Sequence, residues 1–391
     1  MSDAGLAGVV DAYGLTAMQE GMLYHSVADP GVGVYVNQIV TPVSGDLDPT
    51  LLRSAWASVV ARHDTLRTAF VWDGLDDPLQ VVRAEVEHPW EHIDLTDVPE
   101  ADRDGEIERI LASDRDRGFD LAAAPLSRML LIRTGDRQWE WVWTFHHLIA
   151  DGWSAQILRD ELFSTYRASA DGRTLALPNQ PPYRDFVTHY LDRDTEAERD
   201  YWTRKLAGYA EPLDLTVPGL PASEGSTGYR TQYRSLDQST SDDLVALARS
   251  HQVTLNTVFV GIWALVVGRW ARTKDVVFGT TVAGRPPGLD NSERASGLFI
   301  NTLPTRVSLP PAQQLGAWLN DIQRGQLDDR RHDLASLADM QRWSDVPGGE
   351  SLFESIVVFE NYPPGAGRRL GDSITLGPAR HIEQSNYPRR S

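Results

Sequence analysis

The sequence contains no cysteine among its 391 residues. A disulfide framework, a thiolate nucleophile and thiolate metal sites are therefore excluded. No run of eighteen apolar residues occurs either; the nearest, Val258 to Trp270, is shorter and is predicted to be a buried helix. The N-terminus lacks a basic region followed by an apolar run, so we expect no signal peptide. These absences together favour a cytoplasmic protein.

Positive charge is also scarce, with 37 Lys and Arg against 55 Asp and Glu and a formal net charge of −18. This balance argues against nucleic acid and anionic membranes as partners. The length suggests two domains of ordinary size, and a hydrophobic content of 41% is sufficient for their cores. Proline and glycine cluster between residues 171 and 182, which predicts a linker there.

The strongest functional signal is a stretch of nine residues that begins at His146. Residues 138–145 alternate and are rich in aromatic and β-branched side chains, which predicts a strand, and a helical period follows Gly152. His146 and His147 therefore lie where a strand ends, and Asp151 lies in the turn after them. Histidine exchanges protons near neutral pH because its ordinary pKa is about 6.5. Neighbours in a strand point to opposite faces, so only one of the two histidines can face a given pocket.

A pair of structural histidines beside a turn is the alternative interpretation of this stretch. The full pattern His-His-x-x-x-Asp-Gly has four fixed positions, however, and would arise by accident roughly once in a thousand chains of this length. This rarity favours a functional site. A metal centre is not expected, because the spacing supplies no third ligand nearby.

The pattern resembles the condensation domains of nonribosomal peptide synthetases, which belong to the chloramphenicol-acetyltransferase-like superfamily. Other stretches resemble the remaining family signatures and follow in family order, although the one at 332–336 matches weakly. They lie at residues 13–25, 62–70, 183–187, 296–306, 332–336 and 352–363. The resemblance covers nearly the whole chain, from Leu15 to Pro388.

Alternating strands and helices predict a layered α/β sandwich. The resemblance implies two chloramphenicol-acetyltransferase-like α/β sandwich lobes in a V-shaped pseudo-dimer, with the active site at the interface. The N-terminal lobe, residues 1–175, would carry the HHxxxDG motif, and residues 176–391 would form the C-terminal lobe. Family members usually continue past the stretch at 383–388 through further strands and a closing helix. The C-terminal lobe is therefore expected to be truncated, with an unpaired sheet edge and doubtful activity as consequences.

The resemblance implies a catalytic set of His147, His146, Asp151 and Gly152. His147 would act on the acceptor amine, either as a general base or by positioning it, and His146 would pack behind the site. A backbone N–H near Gly152 would stabilise an oxyanion. Asp151 would form a structural ion pair with Arg285 across the lobe interface, since a guanidinium suits bidentate pairing. A solvated loop arginine is the alternative for Arg285.

The substrate channel implied by the resemblance has five expected positions. They are Gln19, Trp153, Ser154, Asn301 and Ser385. A polar residue such as Asn301, inside an otherwise apolar strand, must find hydrogen-bond partners or the strand is destabilised by several kcal/mol.

The expected reaction is amide formation between a donor and an acceptor thioester, each held on the phosphopantetheine arm of a peptidyl carrier protein. The domain itself would bind no cofactor, would work as a monomer, and would dock upstream and downstream carriers through local contacts. The residues Trp153-Ser154-Ala155 resemble those of a peptide-forming domain that accepts an L-configured donor more than those of an epimerization domain. A heterocyclization domain would have aspartates in place of the leading histidines. Two alternatives stay open: a free-standing acyltransferase that makes esters or amides, and a catalytically silent domain that recruits partners.

Overall fold

The structure is a computed structural model that describes residues 8–28, 34–215, 232–286, 288–360, 368–370 and 373–383. The expected channel position Ser385 lies outside the described residues.

The chain divides into two compact units. The first comprises residues 1–192, 285–299 and 361–386, and the second comprises 193–284, 300–360 and 387–391. The first unit therefore extends past the expected boundary at residue 175 and takes in two later segments. Residues 173–182 lack regular structure, in agreement with the predicted linker. The helix after them belongs to the first unit, where the hydroxyl of Tyr183 donates to the carbonyl oxygen of Leu298 at 2.6 Å.

The first unit is built on two sheets. In the larger, the strand order is β11-β12-β2-β7-β6-β5, with β13 also paired to β2, and in the smaller it is β1-β4-β3. The strand bounds are β1 Val9–Tyr13, β2 Val36–Gly45, β3 Thr68–Val71, β4 Leu79–Arg83, β5 Trp90–Asp94, β6 Ser127–Gly135, β7 Gln138–His146, β11 Arg368–Leu370, β12 Ile374–Leu376 and β13 Arg380–Ile382. The strand predicted at residues 138–145 is confirmed as β7, which forms an antiparallel hairpin with β6 and pairs with β2 on its other side.

Five described helices accompany these sheets. They are α1 Ala17–Ala28, α2 Pro49–Arg62, α3 Glu100–Asp116, α4 Gly152–Ala170 and α5 Tyr183–Leu191. Thr16 caps α1, because its hydroxyl oxygen accepts from the N–H of Gln19 at 3.3 Å. Helix α2 begins with a proline after Asp48, whose carboxylate accepts two N–H groups of the first turn.

The second unit has a three-stranded sheet in the order β10-β8-β9, with helices packed against it. The strands are β8 Asp275–Val282, β9 Asn301–Ser308 and β10 Ile356–Val357. The helices are α6 Thr195–Leu206, α7 Gln238–Ser250, α8 Leu255–Ala271, α9 Leu315–Asp329 and α10 Leu337–Arg342. One buried cluster includes Ala264 of α8, Phe278 of β8 and Leu319 of α9.

Residues 232–236, which precede α7, have no regular structure. Helix α8 contains the stretch from Val258 to Trp270 that was expected to be a buried helix, yet one of its faces remains outside the core. Its exposed residues are Ile262, Leu265, Val266 and Trp270, at 42–51%. A helix buries only the stripe that meets its neighbours, which composition alone does not specify.

Among the described residues, no single helix has the length and apolar character needed to cross a bilayer. Helices α7 and α8 reach that length and composition only as a pair, which is bent by 103°.

Candidate active site

The HHxxxDG motif lies where β7 ends. His146 is the last residue of the strand, a short 3-10 turn spans His147–Ile149, and helix α4 begins at Gly152. The N–H of His147 donates to the carbonyl oxygen of Tyr35 at 2.8 Å, which fixes the turn against the residue before β2. The predicted sequence of strand, turn and helix is confirmed, and both histidines are held by backbone pairing.

His146 is 3% exposed and its ring contacts helix α1. Burial, with a smaller contribution from His147, lowers the pKa of His146 to about 3, so its ring is neutral at physiological pH. Nδ1 accepts from the N–H of Leu148 at 3.2 Å. The proton must therefore be on Nε2, which lies 3.2 Å from the hydroxyl of Ser26, and that hydroxyl donates in turn to a carbonyl of α1. His146 thus has both ring nitrogens committed to the fold.

His147 is 7% exposed and its ring is bonded differently. Its Nδ1 is buried without a hydrogen-bond partner among the described residues. Its Nε2 lies 3.6 Å from a carboxylate oxygen of Glu383, in the segment that follows β13. Of the two histidines, His147 is the one with a ring nitrogen not engaged by the surrounding fold.

Asp151 caps helix α4 and is 1% exposed. One carboxylate oxygen accepts from the N–H of Ser154 at 2.7 Å, and the other accepts from the N–H of Phe299 at 3.0 Å. The backbone N–H of Asp151 donates to the carbonyl oxygen of Gly297 at 3.0 Å. This buried carboxylate therefore joins the start of α4 to residues 297–299.

Arg285 approaches the same carboxylate. Its guanidinium lies 3.5 Å from Asp151 and donates to the hydroxyl oxygen of Ser154 at 2.9 Å. It also donates to the carbonyl oxygen of Ala295 at 2.9 Å and stacks over the ring of Phe299 at 3.9 Å. Its side chain is only 7% exposed, so it is not a solvated loop arginine. Both members of the pair belong to the first compact unit.

The two expected channel residues that follow Gly152, Trp153 and Ser154, differ in their exposure to solvent. The hydroxyl of Ser154 is fully buried; it donates to the carbonyl oxygen of Gly297 at 2.7 Å and accepts from the N–H of the same residue at 3.0 Å. Trp153 is 45% exposed, and its indole N–H donates to the carbonyl oxygen of Glu293 at 3.0 Å. Ser154 thus holds the backbone together, whereas Trp153 offers an exposed ring face.

The side-chain amides of Gln19 and Asn301 both donate hydrogen bonds to neighbouring backbone carbonyl groups. The amide nitrogen of Gln19 donates to the carbonyl oxygen of Leu148 at 3.2 Å, beside the 3-10 turn. The amide nitrogen of Asn301, in the second unit, donates to the carbonyl oxygens of Asp333 and Ala335 at 2.7 and 2.8 Å. These contacts supply the hydrogen-bond partners that a buried amide needs.

The sequence interpretation missed a polar cluster that holds residues 285–299 in place. The ring of His63 is fully buried between the hydroxyl of Ser296, 2.8 Å from Nδ1, and the carboxylate of Glu161, 2.7 Å from Nε2. Thr65 also lies 3.1 Å from Ser296. His63 and Thr65 belong to the stretch at 62–70 that resembles a family signature, but no local pattern indicated Ser296 as their partner.

Possible metal ligands do not cluster here. Within the part of the chain that the structure describes, no three His, Asp or Glu side chains are grouped so that they could hold a metal ion.

The fold and the motif define an α/β protein with a histidine pair at a strand end, and comparison with known proteins specifies the family. The sequence profile of the condensation domain matches residues 9–376. The chain therefore belongs to the condensation domain family.

Relatives and solved structures agree with this assignment. A linear gramicidin synthase of Brevibacillus parabrevis is 39% identical over 384 residues, which are 97% of this chain but 7% of that protein. A bacitracin synthase of Bacillus licheniformis is 34% identical over 90% of this chain and 6% of its own length. The chain thus spans a small part of these relatives.

Solved condensation domains share the fold at low sequence identity. The starter condensation domain of rhizomide synthetase has a TM-score of 0.81 at 21% identity, over 98% of this chain and 84% of that chain. The first condensation domain of the calcium-dependent antibiotic synthetase has a TM-score of 0.77 at 23% identity, over 95% and 84%.

Proposed function

We propose that this domain forms a peptide bond between a donor acyl thioester and the amine of an acceptor aminoacyl thioester. The observation that carries the proposal is the state of His147 at the end of β7. Its Nε2 faces the half-exposed carboxylate of Glu383 at 3.6 Å, whereas the fold uses both ring nitrogens of His146. His147 is therefore the residue that we assign to the reacting amine.

The proposed step is an acyl transfer in which atoms and charges balance. The amine nitrogen forms a bond to the donor carbonyl carbon, the carbon–sulfur bond breaks, and the sulfur leaves as a thiolate. The nitrogen loses a proton to His147, which can then protonate the thiolate to a thiol. A histidine in this position contributes as a general base, by holding the amine in line for attack, or by both effects.

Gly152 is the proposed source of oxyanion stabilisation. It is the first residue of α4, and the first N–H groups of a helix have no partner within the helix. The positive end of the helix dipole is at the same place, so an N–H group there would favour the negative oxygen of the tetrahedral intermediate. We assign Asp151 the role of holding this helix start in position.

The partners proposed for the domain are an upstream and a downstream carrier protein. The phosphopantetheine arms would belong to the carriers, and the domain itself would need no cofactor of its own. We place the reaction in the cytoplasm and propose a monomer, with docking through local patches because the net charge of −18 would repel an acidic carrier.

The test is the variant His147→Ala, assayed with one donor-loaded and one acceptor-loaded carrier and mass spectrometry of the product. We expect amide formation to fall by roughly 10²-fold or more, the usual contribution of a general base. His147→Gln, which keeps a polar side chain of similar size, should fall equally if the imidazole is required. His189→Ala, which removes an exposed histidine of α5, is the matched control and should keep full activity.

Undiminished product in His147→Ala would refute the catalytic assignment. The same assay with a hydroxyacyl acceptor distinguishes amide from ester formation. If the wild-type domain gives no product with either acceptor but still binds loaded carriers, the recruiting alternative is supported instead.

A further inference from the structure

Glu383 is placed beside His147 by strand pairing. Strand β13 pairs with β2 so that Ile382 lies opposite Gln38, and β2 pairs with β7 so that Val36 lies opposite His146. Glu383 follows directly after β13 and therefore reaches the end of β7 where the motif begins. The 3.6 Å separation between its carboxylate and Nε2 of His147 is a consequence of this register.

The two side chains differ in their access to solvent. The side chain of His147 is 9% exposed and that of Glu383 is 51% exposed. Nδ1 of His147 is buried, so Nε2 is the nitrogen that faces the carboxylate. A molecule that reaches Nε2 therefore meets the carboxylate of Glu383 at the same place.

The 3.6 Å separation between Nε2 of His147 and the carboxylate of Glu383 allows one cationic group to bind both. Hydrogen bonds of N–H donors span about 2.9 Å, so one nitrogen can lie within reach of two acceptors that are 3.6 Å apart. An α-ammonium group has three N–H donors and one positive charge, and with an ordinary pKa of about 7.7–8.0 it is mostly protonated at neutral pH. A hydroxyl group has one O–H donor and no charge, so it would gain much less from the carboxylate.

We propose that Glu383 binds the α-ammonium group of the acceptor next to His147 and thereby selects amine over hydroxyl acceptors. This inference rests on the proposed function, because it assumes that the acceptor enters beside His147. Glu383 holds the cation, one proton passes from the ammonium through Nε2 to solvent, and the neutral amine and the neutral imidazole are left in place for attack.

The first experiment measures binding without turnover. Leucyl N-acetylcysteamine thioester and its α-hydroxy counterpart serve as acceptor probes, titrated into the intact domain by calorimetry in the absence of a donor. We expect the amine probe to bind the wild-type domain at least tenfold more tightly than the hydroxy probe. Glu383→Gln should remove most of this difference in affinity between the two probes. Glu383→Asp should restore at least half of the difference in their binding free energies.

The second experiment follows turnover with the amine probe and a loaded donor carrier. Glu383→Gln should raise the KM for the acceptor about tenfold and leave the KM for the donor unchanged. Glu91→Gln is the matched control, because it removes an equivalent exposed charge on β5, three strands from β2 in the same sheet. It should behave as the wild type does.

The outcomes separate the two proposals. An equal loss of affinity for the amine and hydroxy probes in Glu383→Gln, or no loss for either, would overturn the role of Glu383. If the wild-type domain prefers the amine probe through Glu383 but forms no amide, the peptide-bond proposal fails while the ammonium site stands.

Discussion

Asp151 is the residue on which the local geometry of the motif depends most. Its carboxylate is almost fully buried, receives N–H groups from Ser154 and Phe299, and lies 3.5 Å from the guanidinium of Arg285. A buried ion pair is weak evidence for net stability, but removal of one partner leaves an uncompensated buried charge.

Asp151→Asn and Arg285→Ala should therefore each lower the free energy of unfolding by about 3–5 kcal/mol. Denaturant unfolding followed by circular dichroism measures this change. Arg173→Ala is the matched control, since Arg173 pairs with Asp171 on the surface, where an ion pair contributes at most about 1 kcal/mol. Wild-type stability in both Asp151→Asn and Arg285→Ala would contradict the structural role of the pair.

Single residues also show what the sequence predicts well. The pairing of Asp151 with Arg285 followed from a resemblance, and the strand end at His146 followed from periodicity. Neither Ser296 nor Glu383 carried such a signal, because their partners, His63 and His147, are more than two hundred residues away in the sequence. Tertiary structure, which local patterns do not contain, brings these groups together.

At the scale of elements, Gly297 is the tightest point of the segment of residues 285–299. This residue has φ +151°, and a Cβ added to it would lie 2.1 Å from the ring of Tyr183. Its N–H and carbonyl groups both bond the hydroxyl of Ser154. No side chain other than hydrogen fits this position without movement of the ring.

Gly297→Ala should lower the free energy of unfolding by roughly 3 kcal/mol or more, the sum of backbone strain and overpacking. It should also increase hydrogen exchange at the N–H of Phe299. Gly172→Ala provides the comparison, because Gly172 has φ +67° but open space around its Cβ position, so only about 1 kcal/mol of strain is expected. Equal effects of the two substitutions would show that Tyr183 does not restrict Gly297.

Element prediction succeeded where the signal is local and failed where pairing is distant. Helix α2 and the hairpin of β6 and β7 have caps, turns and periodic apolar positions of their own. Strands β11 to β13 are only three residues long each, and β12 and β13 exist because β2 supplies a partner. Such short strands have too few residues for an alternating pattern.

At the scale of the whole molecule, the two units contain buried ionisable groups of opposite type. Burial lowers the pKa of His88 and His146 in the first unit to about 3. In the second unit burial raises the pKa of Glu198 to about 7 and that of Asp333 to about 6. The first unit also contains Glu140, and burial raises the pKa of its carboxyl to about 7. This group partly offsets the effect of the two histidines on the pH dependence of stability.

Acid should therefore shift the stability of the two units in opposite directions. The histidines bind more protons in the unfolded state below their ordinary pKa of about 6.5, so the first unit loses stability as the pH falls; the raised carboxyl groups bind more protons in the folded state, so the second unit gains. When the pH falls from 7.5 to 5, we expect the free energy of unfolding of the first unit to decrease by roughly 1–2 kcal/mol. That of the second unit should increase by roughly 3–4 kcal/mol.

Hydrogen exchange, corrected for the intrinsic rate at each pH, measures both changes in one sample. Protection of β6 and β7 should fall at pH 5, and protection of α6 should rise. Glu198→Gln should remove part of the rise, because the titrating carboxyl is gone. A change of the same sign in both units would contradict the prediction.

Strand β2 is paired on one side with β7 and on the other with β12 and β13. Because β12 and β13 lie near the end of the sequence, the ribosome synthesises them long after β2. Roughly 330 residues separate β2 from these partners, and at a synthesis rate of about 5–20 residues per second the delay is roughly 15–65 s. During that interval one side of β2 is an open strand edge, which is a site for aggregation. Glu383 follows β13, so the nascent chain acquires the carboxylate beside His147 only when this edge is closed.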